Sequence, residues 1–86
     1  MRVELELRNV QHTVVMDFLI QAGGQPSGEL SVSGDGWKAR LEQMEPAIIG
    51  SVMQVRRDLL VIEGDDEKTV TLVYDFMRRN MIRGGG

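Results

Sequence analysis

The chain has 86 residues, of which 42% are hydrophobic and 27% charged, with a formal net charge of −3. That is the size of one domain with a single modest core, close to the limit at which such a core suffices, so a homo-oligomer is within reach. Ordinary globular usage excludes a disordered chain, no apolar run has the length of a membrane span, and the acidic balance gives no broad attraction for phosphate backbones. Neither a membrane nor nucleic acid is therefore expected as a partner. With no cysteine there is no disulfide framework, thiol nucleophile or thiolate metal site. The first residues alternate charge with apolar side chains instead of forming a signal-peptide block, and the expected location is cytoplasmic.

Val3, Leu5 and Leu7 alternate with Arg2, Glu4, Glu6 and Arg8, the period of a strand with one buried and one wet face. Asn9 is placed to cap a helix whose apolar positions are Val14, Val15, Phe18, Leu19 and Ala22, stopped by Gly23-Gly24. Gln25-Pro26-Ser27 reads as a loop. Gly28 to Ser33, with Leu30 and Val32 inward, and the run from Trp37, with Ala39 and Leu41 inward, form a hairpin around Gly34-Asp35-Gly36. Beyond Pro46, Ile48 to Val55 reads as one strand and Arg56-Arg57-Asp58 as a polar turn. Leu59 to Ile62, apolar on both faces, is then a central strand or a buried interface.

Gly64-Asp65-Asp66-Glu67 brings acidic groups to a helix start, where free amides and the helix dipole favour them. The helix that follows carries Val70, Val73, Tyr74, Met77 and Met81 on one stripe, widened by Leu72 and Phe76, with Arg78, Arg79 and Arg83 in its last turns. The order β-α-β-β-β-β-α predicts an α+β domain: a curved antiparallel sheet with two helices on one face. Residues 1–83 make the domain and residues 84–86 a flexible glycine tail.

Little in this pattern carries catalytic chemistry. His12, the only histidine, opens a helix with no carboxylate, cysteine or second histidine at ligand spacing, and reads as a surface or cap residue. Asp65-Asp66-Glu67 lacks the ladder of oxygen ligands a hard cation needs, so no metal is expected. No nucleophile stands beside a base, and no cofactor is implied. Trp37 reads as a core anchor and the six methionines, Met44 and Met53 among them, as gap-filling core residues. Arg56, Arg57, Arg78, Arg79 and Arg83 could gather into an anion site, although a charged turn and a dipole-matched helix end explain them first. The run Arg83-Gly84-Gly85-Gly86 has two readings. It can stop the helix, with Gly84 non-helical, or it can present Gly85-Gly86 as a side-chain-free tail whose carboxylate is open to adenylation and sulfur transfer.

From Gly23 onward a larger pattern emerges: Gly23-Gly24, Gly28-Glu29-Leu30, Trp37 to Leu41, Glu45-Pro46, Ile49-Gly50-Ser51, Leu59 to Gly64, and the RGGG end. It resembles the domain found at the C-terminal end of MoaD-related proteins, behind a ubiquitin-like sulfur-carrier domain of the MoaD/ThiS type. The resemblance covers about three-quarters of the chain, in which no carrier domain precedes it. It implies a fold like one half of the TATA-binding protein and an association with molybdopterin or tungstopterin biosynthesis, or with another sulfur-transfer route. It supplies no catalytic residue. The expected function is that of a non-enzymatic accessory or binding domain acting beside a MoaD/ThiS-like carrier or its partner enzyme. Its contact surface would be the polar sheet face of Arg2, Glu4, Lys38 and Arg40, or the exposed side of Leu59 to Ile62. The alternative is a carrier that uses Gly86 itself.

Overall fold

The computed structural model describes residues 1–50 and 52–84, with side chains described through Met81. The elements are β1 (Arg2–Arg8), α1 (His12–Gln21), β2 (Gln25–Gly28), β3 (Ser31–Gly34), β4 (Trp37–Gln43), β5 (Ala47–Ile49), β6 (Met53–Val55), β7 (Arg57–Glu63) and α2 (Glu67–Gly84). Five strands form an antiparallel sheet in the order β1-β7-β4-β3-β2, and β5 with β6 makes a separate two-stranded ribbon. The architecture is the expected α+β sheet with two helices.

The register follows from the alternation of β1. Leu5 and Leu7 are buried, whereas Arg2, Glu4, Glu6 and Arg8 are exposed. Slipping by one residue would bury those charges, which fixes the pairing Leu5↔Leu60 and Leu7↔Asp58. β7 lies between β1 and β4, so the run that is apolar on both faces is the central strand. Leu60, Val61 and Ile62 are all fully buried. The helices share one core with the sheet, in which Val15 and Leu19 of α1 meet Val70, Met77 and Met81 of α2 above Leu5, Leu41, Leu60 and Ile62. Phe18 and Phe76 join the helices edge to face at a centroid distance of 6.3 Å.

Trp37 is the anchor the sequence predicted, only 6% exposed. The glycines around it have a steric reason: a methyl group on Gly34 would fall on the indole ring, and one on Gly24 would reach within 2.8 Å of its Cη2. Gly23, at φ 110°, ends α1 in a conformation that side chains resist, with its N–H donating to the Ile20 carbonyl.

Several expectations are corrected. Gln25–Gly28 is an edge strand instead of a loop, its Pro26 tolerated because it pairs on one side only. Ile48 to Val55 is not one strand but the β5–β6 ribbon, turned by Gly50 at φ 66°. Arg57 and Asp58 belong to β7 instead of a turn. Asn9 does not cap α1; it takes a left-handed φ of 55° and donates its N–H to the Arg56 carbonyl, while Gln11 occupies the cap position without a side-chain bond. Met53 and Leu72 are exposed, at 58% and 69%, instead of filling the core. Gly84 is the last residue of α2, so the helix runs one residue further than expected; Gly85 and Gly86 lie outside the described residues.

Candidate functional site

Both helices pack on one side of the five-stranded sheet, and among the described residues neither helix covers its other face. Strand parity decides what stands there. Arg2, Glu4, Glu6 and Arg8 of β1, Arg57, Leu59, Val61 and Glu63 of β7, and Lys38, Arg40 and Glu42 of β4 point away from the core, in the cross-strand rows Arg2–Glu63–Lys38, Glu4–Val61–Arg40 and Glu6–Leu59–Glu42. Charges of both signs are interspersed on this face, and they pair: Arg2 with Glu4 at 2.7 Å, Arg8 with Glu6 at 2.8 Å, Arg57 with Glu6 at 3.3 Å, and Arg40 with both Glu63 and Glu42. The hydrogen bond from Arg8 holds the Glu6 carboxyl below the usual carboxylate range, and Arg40 does the same for Glu63, whose carboxylate in turn raises the Arg40 guanidinium. Val61 is fully buried on this face although neither helix covers it. Its register neighbours on this face are Glu4 and Arg40, and long charged side chains commonly lay their methylenes over apolar surface.

Leu59 to Ile62 therefore has no broadly exposed side, which removes it as a contact surface; Leu59 alone is half-buried. The polar face remains, and it deepens at one end into an open depression of about 560 Å³ lined by Met1, Arg2, Trp37, Lys38 and Glu63. There the N-terminal amine donates to the Gly64 carbonyl at 2.7 Å.

The five arginines named from the sequence are spread out. Arg57 donates to the Glu45 carbonyl at 2.9 Å and meets Glu6 on the sheet face. Arg56 turns the other way, donating to the Val10 carbonyl at 2.6 Å and standing 3.6 Å from Asp58. Arg78 and Arg79 are exposed on α2, with Arg79 bonded to the Asp75 carbonyl of its own helix at 3.3 Å. The side chain of Arg83 lies outside the described residues. Asp66 is the helix cap expected of the acidic cluster: its carboxylate accepts from the Lys68 N–H at 3.1 Å and the Thr69 hydroxyl at 2.8 Å. Among the described residues, no group of three or more histidine and carboxylate side chains could hold a metal ion. Nor is any helix among them long and apolar enough to cross a membrane.

Sequence reasoning missed one partnership. His12 Nε2 lies 3.2 Å from Oδ1 of Asp58, a carboxylate only 1% exposed, contributed by β7 46 positions away. The signal was present in the spacing: Asp58 shares parity with Leu60 and Ile62 and so belongs to the helix side of the strand. The pair ties the first turn of α1 to the central strand; Asp58 Oδ2 accepts no hydrogen bond among the described residues and has the Arg56 guanidinium 3.6 Å away.

The fold and face define a small α+β domain with a broad, ion-paired sheet surface available for contact. Residues 3–86 match the family described as archaeal MoaD-like protein, and the chain belongs to that family. No curated protein matches it.

Proposed function

We propose that the protein is a non-enzymatic accessory module that binds a MoaD/ThiS-like sulfur carrier, or the enzyme that carrier serves, through the open sheet face. One observation carries this reading: five strands present a face that neither helix covers, whose charges are fixed in register by cross-strand pairing. Near-balance of sign makes that face a poor match for a polyanion and a good one for a protein surface with alternating charges, where complementarity sets orientation and register. Family membership and the likeness of residues from Gly23 onward to the C-terminal domain of MoaD-related proteins support the choice of partner. The two-helix, antiparallel layout agrees with a fold like half of the TATA-binding protein, from which no DNA binding follows. The reading places the protein in the cytoplasm and in pterin-cofactor assembly or related sulfur transfer.

The test is a 15N NMR titration of the labelled protein with a purified MoaD/ThiS-like carrier. Shifts confined to β1, β4 and β7 residues of the open face, abolished by Arg40→Glu with Lys38→Glu, are expected. Binding that ignores those substitutions, or no binding, refutes the reading. Family membership also favours a second reading, in which the protein is itself a sulfur carrier with Gly85-Gly86 as its activated tail. Intact mass spectrometry of protein from its native host separates the two, because a thiocarboxylate at Gly86 adds the mass of sulfur exchanged for oxygen.

A further inference from the structure

The β5–β6 ribbon pairs with no third strand, and residues 47–55 include no charged side chain. Ile48, Ile49, Val52 and Met53 are 71%, 51%, 94% and 58% exposed. Ala47, Ile49, Met53 and Val55 share one side of the ribbon by its register, Ala47↔Val55 and Ile49↔Met53, and that side is wholly apolar. An isolated two-stranded ribbon is marginal in water, and an uncharged apolar one invites a cover.

The same end of the molecule carries a groove of about 500 Å³ between the start of α1 and the end of α2, with an apolar floor of Val10, Val14, Phe18 and Met81 and a polar rim of Arg8, Asn9, Gln11 and Asn80. Its position follows from the root of the ribbon. The Met44 N–H donates to the Arg57 carbonyl and the Asn9 N–H to the Arg56 carbonyl, at 3.0 and 2.8 Å, while the Arg56 side chain holds the Val10 carbonyl. The arm and the groove thus spring from the same Asn9–Arg56 junction.

We propose that a second copy of this chain covers both surfaces: the β5–β6 arm of each protomer lies in the α1–α2 groove of the other, about a two-fold axis through this end. The arm and the groove floor are two apolar surfaces that no other described residue fills, and because they share a junction, a reciprocal exchange closes as a dimer instead of growing into a filament. At roughly 100 Å² for a large aliphatic side chain, Ile49 and Met53 on the apolar side, Val52 at the turn and Ile48 on the opposite side together offer on the order of 250–300 Å², so the groove closes over both sides of the arm. Two arms and the two grooves they cover then bury roughly 1,000–1,200 Å², which reaches the lower limit for a specific interface. The inference does not depend on the sulfur-carrier reading, since it concerns only copies of this chain.

Sedimentation velocity of the full chain, from high concentration down to about 1 μM, tests it. A concentration-dependent dimer is expected. Val52→Asp on the arm and Val14→Asp in the groove, both at exposed positions, should each raise the dimer dissociation constant at least tenfold while circular dichroism melts of the monomer stay unchanged. Mixing the two variants should restore part of the dimer, because the mixed pair keeps one intact arm and groove. A wild type that stays monomeric throughout the range overturns the proposal, as does a dimer that survives both substitutions or a mixture that recovers nothing.

Discussion

Trp37 and Gly34 form a pair whose energies can be separated by a double-mutant cycle. Burying a tryptophan removes roughly 150–250 Å² from water, worth about 4–6 kcal/mol at 25 cal/mol per Å², and measured truncations of large core aromatics fall at about 3–5 kcal/mol. An 86-residue domain has roughly 4–13 kcal/mol of stability in total. Trp37→Ala therefore risks unfolding the protein, and Trp37→Leu is the better background because it keeps apolar volume. Gly34→Ala is the complementary change: its backbone does not sit at positive φ, so only the collision of the new methyl with the indole matters. Overpacking of this kind costs about 1–3 kcal/mol. In the Trp37→Leu background the collision partner is shortened, and the usual gain of about 0.4–1 kcal/mol for Gly→Ala should emerge instead. Urea melts followed by far-UV circular dichroism measure all four corners, which avoids relying on the fluorescence of the residue being removed. A coupling near zero, with Gly34→Ala equally costly in both backgrounds, would refute the claim that Gly34 is glycine because Trp37 lies on it.

Two further predictions rest on buried and paired charge. His12→Ala deprives the 1%-exposed Asp58 of its nearest partner and should cost about 1–3 kcal/mol in a thermal melt, with most of that cost absent in an Asp58→Asn background. The carboxyls of Glu63 and Glu6 titrate below their ordinary value, so their contribution to stability is present above the unfolded-state carboxylate pKa and disappears as pH falls through the lowered folded one. Side-chain 13C titrations should show Arg40→Gln moving the Glu63 midpoint up toward the ordinary range while leaving Glu6, which depends on Arg8, in place. Equal movement of both would mean that the face titrates as one diffuse field instead of as local pairs.

Where the sequence was legible, two independent patterns agreed. In β1 the strict alternation Val3, Leu5, Leu7 against Arg2, Glu4, Glu6, Arg8 left one register free of buried charge, and the structure adopts it. In α2 a cap at Asp66, an apolar stripe ending at Met81 and a basic last turn all mark one helix. The polar sheet face was legible for the same reason as the core, being its complement. The burial of Val61 on that face was not, because alternation says which way a side chain points and nothing about what its neighbours cover.

The misreadings share a cause, which is that a short polar or apolar run does not reveal how many strands it makes. Arg56-Arg57-Asp58 looks like a turn by hydrophilicity, yet Arg57 pairs with Arg8 and Asp58 with both Leu7 and Gln43, with the Arg57 side chain meeting Glu6 on the open face and the Asp58 side chain meeting His12 on the helix side. Asp58 is tolerated in the buried layer only because α1 delivers His12 to it, a contact across 46 positions that no local window contains. Residues 48–55 fail in the opposite sense. Their apolar letters fit a core strand, and only Gly50, able to adopt a φ of 66°, hints that the segment folds back on itself. Once it does, the same hydrophobic residues that suggested burial are exposed, with none of the other described residues covering them. The composition of the segment is that of an interior, while its position is that of a surface, and this conflict is what the proposed arm exchange between protomers answers.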